Sequence, residues 1–499
     1  MNTRKRLAAM QRTQLPDNPA CVLGAGQRCE HALVDGELNR RLAAYETTVR
    51  GRFTAIVDTL KTISAQQHEI DFVARAQRIA QDRLGYELPA NTLESAWVAG
   101  LDMRALHSYC IFRSFKTCVD EVDVDQAPWR ERMVLNAEFL RDCGYHTLDV
   151  SPCADGRLQG LLPFVLRLPP NDSVMVKAYA GAMFDVEADM ADWAARELDR
   201  LAGDESLELN YLKLAVYHFS SSHTCTQGCA AHGSNDKQAT ESALTRLYEL
   251  RDAVENTYGI GAAPDILLIG IDTDTDSLRI HLPDGNGDVN AYRYVDTAQL
   301  YKDTLGLSRD QARARLADAI VQAERMGGWA EGQGEMLPGM RALVLALAEA
   351  NLSQIEYVIQ HHAGRYSVIG HDEELICAGE AMDELQLRNQ FYFAHLDTVE
   401  EGAADMDVGI KIFTGLNVKN GLAVPVLVHF HYSSRVPGSR ERAVARARRV
   451  KAAILARYPH LAEQGLLNCQ MAVSDRSGSA RQQAERCSFV EDEAADDGH

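Results

Sequence analysis

Apolar side chains in the first quarter of the chain recur every three or four positions, which is the spacing of one face of an α-helix. One run comprises Leu38, Leu42, Tyr45, Val49, Phe53, Ile56, Leu60 and Ile63, and a second comprises Ile70, Val73, Ala76, Ile79 and Leu84. Because both runs cover several helical turns, we predict an all-helical N-terminal domain over residues 21–128.

After Pro128 the pattern changes to short apolar runs that alternate with helical segments. Residues 212–219 (LKLAVYHF) and 265–271 (DILLIGI) have the composition of buried strands, and residues 236–258 between them have one apolar helical face. We therefore predict a multidomain α+β or α/β protein. Its two mixed domains are expected over residues 129–370 and 371–475.

An internal repeat relates these two mixed domains. Residues 216–221 (VYHFSS) resemble residues 430–434 (FHYSS), and in both places an apolar strand precedes the motif and a helix ending in tyrosine follows it. The strand-end histidine and the helix-end tyrosine are 40 positions apart in the first copy and 27 in the second, so the first copy has 13 extra residues. The extra residues fall in the loop that carries Cys225, Cys229 and His232. This pattern is typical of a duplication in which one copy has decayed.

Charge and composition narrow the class of protein. The net charge of −20 argues against nucleic acid or an anionic membrane as the main partner. No stretch approaches the roughly 18 consecutive apolar residues of a membrane span, and the polar N-terminus lacks a signal core, which predicts a protein that is not secreted. The eleven cysteines are scattered, as in a reducing compartment where thiols stay free for metal binding or packing.

Both ends of the chain are expected to be disordered. Residues 1–20 form a basic arm with four cationic side chains against one acid, Asp17. The arm is either a disordered extension or an electrostatic tether for an acidic partner. Residues 476–499 are polar and acidic, which predicts a disordered tail.

Three features indicate a metal site. Cys153, Asp155 and Arg157 form a C-x-D-x-R motif, His218 lies at the end of a predicted strand, and Cys229 lies in a loop of small residues, GCAAHGS. Zinc in an open catalytic site takes three protein ligands, and two thiolates with one imidazole are a known set. Cys153, His218 and Cys229 would supply that set.

The alternation of side chains in an extended segment explains the rest of the motif. Residues two apart point to the same side, so Asp155 is expected beside a metal bound by Cys153, and Arg157 beside Asp155. A carboxylate there can orient the water that the metal activates, and an arginine can hold the carboxylate through a fork of two bonds. His223 and His232 remain rival ligands to His218, which we prefer because a strand holds it rigidly.

The C-x-D-x-R motif, a strand-end histidine about 65 positions later and the GCAAHGS loop together resemble the carboxysomal shell carbonic anhydrases, a divergent branch of the β-class once called the ε-class. The resemblance covers nearly the whole chain. It implies zinc ligands Cys153, His218 and Cys229, with Asp155 and Arg157 as the catalytic pair. It also implies a catalytic domain over residues 129–370 and a degenerate copy over residues 371–475.

One zinc ion per chain is expected. The second copy has no equivalent of the cysteine loop, and its nearest upstream cysteine, Cys377, lacks the accompanying aspartate and arginine.

The resemblance further implies a location and partners. Such an enzyme interconverts carbon dioxide and bicarbonate inside the carboxysome, where it supplies carbon dioxide to Rubisco. The N-terminal arm is the expected contact with Rubisco or shell proteins, and a homodimer or higher oligomer is expected. The alternative is a non-catalytic scaffold that joins Rubisco to the shell and holds a structural zinc in a closed site.

Overall fold

The computed structural model describes residues 31–121, 135–168, 173–202, 209–224, 226–326, 334–366, 373–380, 387–388, 390–395, 399–475 and 487–491. The predicted basic arm, residues 1–20, lies outside these ranges. All eight cysteines within them are free thiols. The predicted class is confirmed: a helical N-terminal region is followed by two mixed α/β sheet domains.

Within residues 31–121 the N-terminal region contains four helices: α1 (Gly36–Ser64), α2 (Phe72–Leu84), α3 (Ala90–Ala99) and α4 (Met103–Glu121). The predicted apolar face of α1 is buried at seven of its eight positions, and only Tyr45 is half-buried. Asp35 caps the start of α1 by accepting a 2.9 Å hydrogen bond from the backbone N–H of Leu38. Ile70, which the pattern placed on the second buried face, instead lies fully exposed before α2 begins.

The first sheet has the strand order β2-β1-β3-β4-β5-β6. Its strands are β1 (Tyr145–Pro152), β2 (Val174–Val176), β3 (Asn210–Phe219), β4 (Asp265–Asp272), β5 (Leu278–His281) and β6 (Tyr294–Asp296). The associated helices are α5 (Ala137–Asp142), α6 (Val186–Ala202), α7 (Asp236–Tyr258), α8 (Thr297–Thr304), α9 (Arg309–Met326) and α10 (Pro338–His361). β1 to β4 are parallel to one another, whereas β5 pairs antiparallel with both β4 and β6.

The second sheet repeats this order as β8-β7-β9-β10-β11, again with parallel strands and an antiparallel β11. Its elements are β7 (Leu375–Gly379), β8 (Phe391–His395), α11 (Val399–Leu416), β9 (Val424–Tyr432), α12 (Ser439–Arg457), α13 (Pro459–Glu463), β10 (Leu467–Asp475) and β11 (Cys487–Val490). The topology therefore supports the repeat that the sequence indicated. The prediction of a disordered tail is wrong over β11, because its backbone pairs with β10; the other residues of the tail lie outside the described ranges.

One described helix, α10, is long and apolar enough by length and composition to cross a membrane, and 67% of its most apolar window is buried inside the protein. Its polar side chains also form hydrogen bonds inside the protein. Asn351 donates hydrogen bonds to the carbonyl oxygens of Val165 and Asp276, at 3.2 and 2.9 Å. These contacts are those of a core helix, since buried polar groups require partners inside the protein.

A charged network is buried beside the first sheet. Lys213, on β3, is fully buried and pairs with Asp149 at 2.8 Å and with Asp189. Lys177 pairs with Asp189 as well, and with Asp192 at 2.6 Å. Burial alone would raise the pKa of Asp149, but the two lysines outweigh it and hold that pKa below its ordinary value.

Substituting Lys213→Met is expected to lower the free energy of unfolding by about 3–5 kcal/mol, because it leaves buried carboxylates without their cation. The matched control is Arg313→Met, which breaks a 2.8 Å pair with Glu349 at a half-exposed position and is expected to cost less than about 1 kcal/mol. Urea unfolding of both variants, with metal present, measures the difference. Equal losses in the two variants would contradict a structural role for the network.

Candidate metal centre

The sheet brings the three predicted ligands to one edge. Pro152 of β1 pairs with Val216 of β3 in parallel register, so Cys153 and His218 both lie at the carboxyl ends of neighbouring strands. Cys229 begins a short 3₁₀ turn, Ala230–His232, in the loop between β3 and α7. Carboxyl edges of parallel sheets are common positions for active sites, since loops of successive strands meet there.

The donor atoms of these residues form a compact group. The Sγ atoms of Cys153 and Cys229 are 3.8 Å apart, and these two sulfurs and a ring nitrogen of His218 lie within 4.8 Å of one another. All three side chains are buried. Within the described ranges this is the one such group of His, Cys, Asp or Glu side chains, and neither His223 nor His232 belongs to it.

The chemistry of the donors fits a metal ion. Neither ring nitrogen of His218 has a hydrogen-bond partner among the described residues although the ring is fully buried, and an unpaired buried group is costly unless something binds it. The backbone N–H of Gly181 donates to Cys153 Sγ at 3.3 Å. A hydrogen bond with Cys153 lowers the pKa of Cys229, and the backbone N–H groups of Ala231 and His232 lower it further, against the opposing effect of burial. The same hydrogen bond, together with burial, raises the pKa of Cys153, so the protein groups alone stabilise one thiolate and a bound divalent metal would stabilise the other.

Asp155 and Arg157 form a two-point ion pair next to this group. Arg157 donates from Nε to Asp155 Oδ1 at 2.8 Å and from Nη2 to Oδ2 at 2.7 Å, and its backbone N–H donates to Oδ1 at 3.0 Å. Asp155 Oδ2 is 3.8 Å from His218 Nε2, so the carboxylate lies beside the donors. Burial would lower the pKa of Arg157, but Asp155 outweighs it and raises that pKa.

Arg157 also connects the motif to the cysteine loop. Its guanidinium donates to the carbonyl oxygens of Gln227 and Gly228, at 2.5 and 3.2 Å. These two residues directly precede Cys229 in the chain. These bonds could not be predicted from the sequence, because they depend on how the inserted loop folds back over the strand ends.

The rival histidine His232 has a different position. Its Nε2 lies 3.2 Å from the carbonyl oxygen of Gly181, outside the sulfur group. Gly181 has a φ of 70°, and a Cβ at that position would lie 2.7 Å from His232 Nε2. A glycine is therefore needed where this turn approaches His232 and delivers its N–H to Cys153.

The second sheet has no such sulfur group among its described residues, and the register explains why. The backbone N–H of Glu380 donates to His429 O as that of Cys153 donates to Val216 O, which places Glu380 at the position of Cys153. Its carboxylate accepts bonds from the backbone N–H of His431 at 2.9 Å and from Arg446 at 3.1 Å. Cys377, the nearest upstream cysteine in the second copy, lies inside β7 and does not occupy that position.

The fold and the site define an α/β protein with duplicated sheets and a buried two-cysteine, one-histidine centre beside an aspartate–arginine pair. Three models of the carboxysome shell carbonic anhydrase family match the chain in succession: the N-terminal part over residues 31–123, the catalytic domain over residues 135–371 and the C-terminal part over residues 372–490. The chain belongs to the carboxysome shell carbonic anhydrase family.

Curated relatives agree with this membership. The chain is 45% identical to the carboxysome shell carbonic anhydrase of Halothiobacillus neapolitanus, over 91% of this chain and 90% of the relative. It is 45% identical to the protein of that name from Parasynechococcus marenigrum, over 90% and 78% of the two chains. The protein of that name from Prochlorococcus marinus strain MIT 9313 is 44% identical, over 89% and 87%.

Proposed function

We propose that this chain is a carbonic anhydrase of the carboxysome, which interconverts carbon dioxide and bicarbonate with one zinc ion held by Cys153, His218 and Cys229. Membership of the family supports the reaction and the location. The observation that carries the choice of ligands is the gathering of two sulfurs and a ring nitrogen within 4.8 Å in a buried site. Two thiolates and one imidazole match the ligands of open catalytic zinc sites, which leave a fourth position for solvent.

A bound zinc ion supplies a Lewis acid that lowers the pKa of water toward neutrality. The protein's own groups then determine how water meets carbon dioxide. Asp155 is placed to accept a hydrogen bond from the reacting water, and so to direct an oxygen lone pair at the carbon atom. The products are bicarbonate and one proton, and the reverse direction supplies carbon dioxide to Rubisco.

Arg157 keeps Asp155 in this role. Because the guanidinium occupies both carboxylate oxygens at 2.7–2.8 Å, it restrains Asp155 from turning toward the metal as a fourth ligand. This favours an open site over the closed structural zinc that the scaffold alternative requires. Two parallel bonds also fix the plane of the carboxylate, which a single lysine could not do.

Stopped-flow measurement of carbon dioxide hydration tests the function. We expect the purified chain to hold one zinc ion, to lose its activity when dipicolinate removes the metal, and to regain it on addition of Zn²⁺. A chain that is folded and holds zinc but hydrates carbon dioxide no faster than buffer would instead be the scaffold.

The partners are part of the same proposal. The basic arm, residues 1–20, is the proposed contact with Rubisco or shell proteins, because its cationic side chains suit an acidic partner. A homodimer is proposed from the family resemblance. Light scattering measures the oligomer, and binding of purified Rubisco to chains with and without residues 1–20 tests the contact.

A further inference from the structure

The second sheet contacts the segment of the first domain that carries the C-x-D-x-R motif, residues 153–157, which we call the catalytic turn. Strand β8 lies at one edge of the second sheet, opposite β11. The backbone N–H of Phe393 donates to the carbonyl oxygen of Ala154 at 3.2 Å, and that of His395 donates to Ala178 O at 2.9 Å. Ala154 lies between Cys153 and Asp155, so the degenerate domain bonds directly to the backbone that carries the site.

The degenerate domain approaches the catalytic turn so closely that position 156 requires a glycine. A Cβ added to Gly156 would lie 2.5 Å from Glu373 Cγ and 2.7 Å from the carbonyl oxygen of Phe391. Glu373 is buried, and its charge adds to that of Asp155 in raising the pKa of Arg157. The degenerate domain therefore contacts the catalytic turn through both its backbone and its charge.

Arg388 of the degenerate domain also contacts this turn. It is buried, and it donates from Nη1 to the carbonyl oxygen of Arg157 at 2.7 Å. The same Nη1 forms an ion pair with Asp276, and Nη2 donates to Thr273 O. Its guanidinium also lies over the ring of Tyr366, 4.1 Å from the centroid.

The partner of Arg388 is itself fixed. Asp276 is buried, and its Oδ2 accepts hydrogen bonds from Gln354 at 2.8 Å and from Tyr366 at 3.0 Å. Arg388 is therefore held rigidly in the turn after β4, and the Nη1 atom that pairs with Asp276 also donates to Arg157 O. Arg157 lies in a 3₁₀ turn of only three residues, Gly156–Leu158, whose geometry depends on such external bonds.

We propose that Arg388 is a positioning residue for the reaction: it fixes the backbone of Arg157 so that the Arg157 side chain holds Asp155 in place. This inference rests on the proposed function. None of the three proposed metal ligands comes from the degenerate domain, whose role is to complete the restraint of the aspartate–arginine pair. A misplacement of about 1 Å in such a pair typically costs about 100-fold in rate.

The test substitutes Arg388→Lys, which keeps a cation for Asp276 but replaces Nη1 and Nη2 by one ammonium group, which cannot keep the bonds to both Arg157 O and Thr273 O in their present geometry. We expect kcat for carbon dioxide hydration to fall about 10- to 100-fold, with KM changed less than about twofold and zinc content unchanged. The matched control is Arg293→Lys, because Arg293 is also buried and also donates to backbone carbonyl oxygens, those of Leu282 and Asp288. It is expected to keep the wild-type kcat.

A double-mutant cycle separates positioning from general stability. If Arg388 acts through the pair, Arg388→Lys lowers kcat strongly in the wild type and hardly at all when Asp155→Ala is already present. Equal losses in both backgrounds, loss of zinc from the Arg388→Lys chain, or a wild-type kcat in it would each overturn the inference. An inactive wild-type chain would contradict the proposed function itself, so the two failures are distinguishable.

Discussion

Substituting Cys153→Ser is expected to abolish zinc binding and carbon dioxide hydration together. The serine oxygen is a poor ligand for zinc, because a buried hydroxyl stays protonated where a thiol ionises. Metal affinity is expected to fall by more than about 100-fold, since mutating even a group that only hydrogen-bonds to a metal ligand typically costs about 10- to 100-fold in affinity. The hydration rate is expected to fall by at least about 10⁴-fold, because the metal carries most of an acceleration that typically exceeds 10⁶-fold.

The matched control is Cys143→Ser, which changes a buried thiol of the same domain that lies outside the site. It is expected to keep one zinc ion per chain and the wild-type rate. Metal analysis and stopped-flow hydration measure both variants. Full activity of the Cys153→Ser chain would show that the ligands are assigned wrongly.

Substituting Asp155→Ala is expected to separate metal binding from catalysis. The ligands remain, so zinc content stays at one per chain, while kcat falls by about 100- to 1000-fold because the group that orients water is lost. Metal analysis and stopped-flow hydration on the same sample test this. A variant that loses zinc would instead make Asp155 a ligand, as the closed structural site requires.

The control for this variant is Asp407→Ala. Asp407 also forms a two-point pair with an arginine, Arg457, at 2.6 and 2.9 Å, but on the surface of the second domain. Both its zinc content and its rate are expected to equal those of the wild type. A large loss of rate in this control would mean that the Asp155→Ala result reflects stability rather than chemistry.

The features that could be predicted from the sequence are those that depend on residues close together in the chain. The face of α1 could be predicted because its apolar positions follow the helical period, and the strands containing Leu214 and Leu267 because buried parallel strands are almost wholly apolar. The grouping of Cys153 with His218 was also accessible, since both follow apolar strands whose carboxyl ends meet. Ile70 was misassigned because one apolar residue in a turn fits a helical period by chance.

The part that could not be predicted depends on register and on contacts distant in the chain. Glu380 occupies the position of Cys153 only because β7 and β9 pair in one particular register, which a motif search centred on Cys377 does not reveal. Arg388 reaches Arg157 across 231 positions of chain, and no sequence pattern joins them. The edge strand β11 was missed because four residues in an acidic tail have too little periodicity to indicate a strand.

X-ray absorption at the zinc edge on the purified chain tests the central claim most directly. We predict one zinc ion with two sulfur neighbours at about 2.3 Å and one nitrogen neighbour at about 2.0–2.1 Å. The fourth neighbour is predicted to be a single light atom that is replaced when a small anion such as azide is added. A spectrum with four protein ligands that azide leaves unchanged, or with a number of sulfurs other than two, would contradict an open site built on Cys153, His218 and Cys229.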